Sequence, residues 1–62
     1  MNEEIKLYIL ELLKDNEDMS QTEIASRLGK NYYEVIEILD EMEKEKMIKS
    51  NRIKRYIFWR KW

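Results

Sequence analysis

The chain has 62 residues, 44% apolar and 40% charged, with one Gly and no Pro, Cys or His. That length allows one domain, close to the lower limit for a core without disulfide, metal or partner, and the absence of Cys and His removes disulfide frameworks and the usual zinc ligand sets. The net charge of -1 conceals a split: residues 1–45 hold all 13 acids against 5 basic residues, a balance of -8, while residues 46–62 hold 7 basic residues and no acid, so a polyanion is expected to meet the C-terminal end.

Asn2 with Glu3 and Glu4 reads as a helix start, and Ile5, Tyr8, Ile9, Leu12 and Leu13 follow at the spacing of one buried helical face. This predicts a first helix over about 3–14. Leu7 and Leu10 fall roughly opposite that stripe, as a second, smaller apolar patch. Asp15 to Asp18 then forms a polar turn without the glycine or the alternating ligands of a calcium loop.

Ser20 with Glu23 is a capping box, and Met19 is placed to staple onto Ile24. The second helix is therefore expected over 21–28, burying Ile24, Ala25 and Leu28, with Gly29 as its left-handed cap. Asn31 and Glu34 repeat the capping pattern. Val35, Ile38, Leu39 and Met42 make the next buried stripe, which predicts a third helix over 32–45. From Ile48 the character changes: Lys49 to Arg52 is polar, and Ile53 to Trp59 is β-branched and aromatic, so a hairpin over about 48–59 is expected with its turn near Ser50 to Arg52. No Gly follows Asn51, which is unusual for a two-residue turn.

The order of these elements predicts a mainly α fold with a small β-hairpin, and the chain resembles the minimal winged helix-turn-helix domain of MarR-type, ArsR-type and small archaeal regulators. Ile24-Ala25-x-x-Leu28-Gly29 resembles the first motif helix, Val35-x-x-x-Leu39 with Met42 resembles the buried side of the recognition helix, and Met47-Ile48 stands where the first wing strand begins. Lys46 replaces the glycine common at that point. The resemblance implies a non-enzymatic, cofactor-free DNA-binding regulator whose partner is double-stranded DNA. Winged helices also serve as protein-docking modules, so a protein partner is the alternative.

The outward face of the third helix carries Tyr33, Glu37, Asp40, Glu41 and Lys44, and carboxylates oppose a phosphate-lined groove. Its N-terminal end, Lys30, Asn31, Tyr32 and Tyr33, suits base edges. Gln21 and Thr22 offer phosphate contacts at the start of the second helix, and Lys49, Arg52, Lys54 and Arg55 cluster around the expected wing turn. The competing reading of that wing is a charged hairpin that only solubilises an acidic body. Tyr56, Phe58, Trp59 and Trp62 fit either a stacking platform for nucleic acid or, more simply, a lid closing the core against the first helix.

Leu7, Leu10 and Trp62 are candidates for a homodimer interface, the other reading being burial of both leucines under Tyr56 to Trp59. The longest apolar runs, Leu7 to Leu10 and Tyr56 to Trp59, cover four residues each, and Met1 to Glu4 is acidic, so a cytoplasmic protein without a membrane partner is expected. Nothing in the chain resembles a nucleophile-base pair.

Overall fold

The computed structural model describes residues 3–62. Their order is α1 (Glu3–Asp15), β1 (Met19–Ser20), α2 (Gln21–Leu28), α3 (Tyr32–Lys44), β2 (Ile48–Ile53) and β3 (Tyr56–Lys61). The expected Asn2 start of the first helix lies outside the described residues.

The capping signals place the helices of the motif within a residue of their expected limits. Ser20 accepts a hydrogen bond from the Glu23 amide, Gly29 closes α2 at φ 65°, and Asn31 accepts from the Tyr33 amide. Met19 and Ile24 are both buried, as a hydrophobic staple requires. Glu23 does not complete the box; its carboxylate lies 3.7 Å from Arg27, one turn on.

Two local expectations are corrected. In α1 the buried face is turned relative to the apolar stripe: Lys6, Ile9, Leu12 and Leu13 are buried, whereas Tyr8 is exposed. Lys6 is accommodated by counter-charges from Glu41 of α3 and from Glu45 at its end, which no count of apolar residues reveals. The hairpin turn lies at Lys54-Arg55, not near Ser50 to Arg52, and Ile53 pairs directly with Tyr56. Lys54 has φ 57°, the positive value that a type II′ hairpin turn needs at its first loop residue and that Gly usually supplies. The strands accordingly run to Lys61, past the expected end at 59.

Strand β1 has no counterpart among the expected elements. It pairs antiparallel with β3, Met19 opposite Trp59 and Ser20 opposite Phe58, giving a three-stranded sheet in the order β1-β3-β2. Asp18, at φ 54°, turns the chain into this strand, and Asp is among the few side chains that tolerate that region. The core gathers Ile9, Leu12, Leu13, Met19, Ile24, Ala25, Val35, Ile38, Leu39, Met42, Ile48 and Trp59. Only Trp59 of the four C-terminal aromatics is buried; Tyr56 and Trp62 are exposed and Phe58 is half-buried. The lid reading therefore holds for one residue. Strand alternation sends Ile57 and Trp59 to the core and their neighbours to the opposite face.

Candidate nucleic-acid interface

Helices α2 and α3 are joined by the short Gly29–Asn31 connection, and the start of each is capped by a side chain. Capping leaves amide N–H groups at both starts directed outward with partial positive charge. Thr22, Lys30, Asn31 and Tyr33 are exposed around this end. Asn31 uses its carbonyl oxygen in the cap, so its amide nitrogen is the end left for a partner. Tyr33 is 75% exposed and meets Tyr32 edge to face at 5.7 Å between ring centroids.

Gln21 has a different role from the phosphate contact expected of it. It is buried; its Nε2 donates to the Tyr32 hydroxyl at 3.0 Å and its Oε1 accepts from the Trp59 indole N–H at 3.2 Å. Both ends of the amide are consumed in tying α2 to α3 and to β3. Tyr32 is likewise anchored through its hydroxyl, with the residue 40% exposed. The pairing of a Gln at the start of one helix with a wing Trp had no sequence signal, because the two lie 38 positions apart.

The wing brings Arg52, Lys54 and Arg55 to one tip, all exposed. Arg55 lines a shallow groove of about 110 Å³ together with Ser20, Gln21, Thr22, Tyr32, Tyr56 and Ile57. The start of α2, the first ring of α3 and the wing tip thus share one surface. Lys49 does not join them. The register places it opposite Arg60, at the base of the hairpin, with its ammonium 5.9 Å from the Trp62 ring centre.

The acids of α3 are distributed unevenly. Lys6 of α1 forms ion pairs with Glu41 and, at 3.1 Å, with Glu45, and the Ser50 hydroxyl donates to Glu43 at 2.8 Å. By the helical period Glu41 stands toward α1 and Glu43 toward the wing, so the outward face proper carries Tyr33, Glu37, Asp40 and Lys44. The Glu41 carboxyl is held below its ordinary range, first by the hydrogen bond from Lys6 and then by the charge of that ammonium. The Lys6 ammonium is held above its ordinary range by hydrogen bonds to Glu41 and then Glu45, against the opposing cost of burial.

Of the residues expected at a dimer interface, Leu7 and Trp62 are exposed, at 62% and 61%. Leu10 is half-buried against the core, so Leu7 and Leu10 do not form one outer patch. Leu7 shares a groove with Glu3, Lys6, Glu45 and Met47, and the Trp62 amide donates to the Met47 carbonyl at 3.2 Å. Among the described residues no group of three or more His, Asp or Glu side chains could hold a metal ion, and no helix is long and apolar enough to cross a membrane.

A sequence-family model described as winged helix-turn-helix DNA-binding matches residues 3–49. The chain belongs to that family. The match covers all three helices and ends just inside β2. Among solved structures the fold is similar to ZitR of Lactococcus lactis, in a cysteine-to-serine mutant, with a TM-score of 0.79 and 26% sequence identity over 89% of this chain. This winged helix spans 39% of the length of that ZitR chain. A comparison with curated proteins finds no match.

Proposed function

We propose that this winged helix binds double-stranded DNA as a transcriptional regulator, without enzymatic activity or cofactor, in the cytoplasm. The observation that carries the reading is the single surface on which Thr22, the start of α3 and Arg55 of the wing tip meet. In it Lys30, Asn31 and Tyr33 face base edges in the major groove, while Arg52, Lys54 and Arg55 engage the adjoining backbone or minor groove. Thr22 and the α2 amides hold a phosphate, and Gln21 and Tyr32 fix the platform from behind. Lys49, by its position at the wing base, stands outside this surface.

The test is a salt titration of binding to random duplex by the parent and by Arg52→Ala with Arg55→Ala. The double variant is expected to weaken binding to every sequence and to lower the salt slope by about 0.9 for each phosphate that is no longer neutralised. Unchanged affinity and slope would remove the wing from the interface.

A second reading, docking of a protein through α3, is favoured by one observation. Glu37 and Asp40 stand exposed on its outward face with Lys44 as the accompanying cation. It predicts binding of a basic partner that Glu37→Gln with Asp40→Asn weakens and that Arg52→Ala with Arg55→Ala leaves intact. Assembly as a homodimer through Leu7 and the adjoining Met47 fits either reading, while the Trp62 ring lies with Lys49 on the sheet.

A further inference from the structure

The face of the sheet that points away from the core has a composition of its own. Antiparallel register fixes its members: Tyr56 opposite Ile53, Phe58 opposite Asn51 and flanked by Ser20, and Arg60 opposite Lys49. Residues alternate in face along a strand, so Tyr56, Phe58, Arg60 and Trp62 stand in one row. Side-chain geometry agrees with that placement: the Tyr56 and Phe58 rings are 6.4 Å apart and tilted by 54°, and the Lys49 ammonium lies over the Trp62 ring. Tyr56 and Trp62 are 58% and 61% exposed.

Neither β2 nor β3 contains an acid. At the base of the row Lys49, Arg60 and Lys61 adjoin Lys14 of α1 around a groove of about 290 Å³, which Leu13 and Glu17 complete. Asp18 pairs with Arg60 at 3.1 Å, so Lys49 is the cation of this face left for a partner, while Lys14 and Lys61, the latter turned to the other side of β3, line the groove at its margin. The row therefore reads ring, ring, cation, ring over about 20 Å, one side chain every 6.8 Å or so along the strand, with Lys49 beside it on β2.

We infer that this outer face of the wing sheet is a binding site for single-stranded nucleic acid, which meets the duplex surface of the wing tip at Tyr56. Exposed rings beside cations are what an unpaired strand needs, because every base has a π-face to stack and every nucleotide a phosphate to neutralise. A duplex cannot use the rings, since its base faces are already stacked inside it. Tyr56 and Phe58 take successive bases near the tip, Trp62 takes one at the base, and Lys49 meets a phosphate with Lys14 and Lys61 at the margin. An apolar protein partner would leave these cations unpaired at its margin, and an acidic one would leave the rings without a stacking partner.

The experiment is fluorescence anisotropy with a labelled oligothymidylate of about twelve nucleotides, run beside a random duplex on the full chain. The parent is expected to bind the single strand with an affinity that falls as salt rises. Trp62→Ala, at an exposed position beside Lys49 at the base of the hairpin, is expected to weaken that binding about tenfold while duplex binding is kept. Trp62→Phe retains a ring and is expected to bind like the parent. Arg52→Ala with Arg55→Ala gives the reverse pattern, losing duplex and keeping single strand. Absence of single-strand binding, equal binding by Trp62→Ala, or loss of both ligands in the tip variant would each overturn the assignment, and the last would mean one shared site.

Discussion

Gln21 joins three elements through one amide, and its neighbours define the cost of losing it. With Leu in its place the buried Trp59 N–H has no acceptor and the Tyr32 hydroxyl loses its donor. A buried donor left unmet costs about 1–3 kcal/mol, so Gln21→Leu is expected to lower stability by that order. Urea unfolding of parent and variant checks this, and identical midpoints would mean that the indole finds another partner. Lys46 illustrates the opposite case. It sits at φ 61° between α3 and β2, where a non-glycine side chain costs about 1–2 kcal/mol and a glycine about 0.5–1 in unfolded-chain entropy. Lys46→Gly is therefore expected to stabilise by roughly 0.5–1 kcal/mol, a rise in Tm of roughly 2–8 °C, read by thermal unfolding. A fall in Tm would show that the lysine makes a compensating interaction.

At the scale of elements, α3 resolves the conflict between an acidic helix and a duplex-binding face by sorting its charges. Glu41 and Glu45 turn to Lys6 and Glu43 to Ser50, which leaves Glu37 and Asp40 as the acids of the outward face. If that face lies along DNA, each of the two opposes the phosphates at close range. Glu37→Gln with Asp40→Asn is then expected to tighten duplex binding by roughly threefold or more at low salt, the gain shrinking as salt screens it. Weaker binding in a gel-shift series would instead mark one of them as an acceptor for a base amine. The wing shows why hairpin limits were poorly legible. Ser50, Asn51 and Arg52 have turn-like composition, yet they face solvent from a regular strand, while the real turn uses Lys54 and Arg55, which carry no turn signature. Pairing of β3 with both β1 and β2 fixes the register, and the local preference yields to it.

For the whole molecule, the long-range ion pair of Lys6 with Glu41, buried on its lysine side, sets an expectation for pH. Glu41 is depressed below its ordinary 4.5, so its contribution is present above that value and is lost as pH falls through the lower folded-state value. Lys6 is raised above its ordinary 10.5, so its contribution is complete below that value and is lost as pH rises through the higher folded-state value. The difference in Tm between parent and Glu41→Gln should be greatest between these limits and close on the acid side. An equal difference at neutral pH and well below pH 4.5 would show that the pair does not stabilise the fold. Assembly is tested by sedimentation of the parent and of Leu7→Glu, an exposed site where the change leaves the core intact. A dimeric parent and a monomeric variant are expected, and a monomeric parent at high micromolar concentration would exclude the homodimer.

The sequence by itself determined the two helices of the motif and their limits, because caps at Ser20, Gly29 and Asn31 and the spacing of Val35, Ile38, Leu39 and Met42 act within a few residues. It also determined that positive charge gathers in the wing, since charge is carried by composition. Tertiary structure decided what depends on partners distant in the chain. It buried Lys6 rather than Tyr8, made Gln21 a brace instead of a phosphate ligand, added β1 by pairing Met19 with Trp59, and separated Lys49 from the wing tip. A polar side chain reads alike in sequence whether it meets water or a buried counterpart, and only packing brings that counterpart within hydrogen-bonding distance.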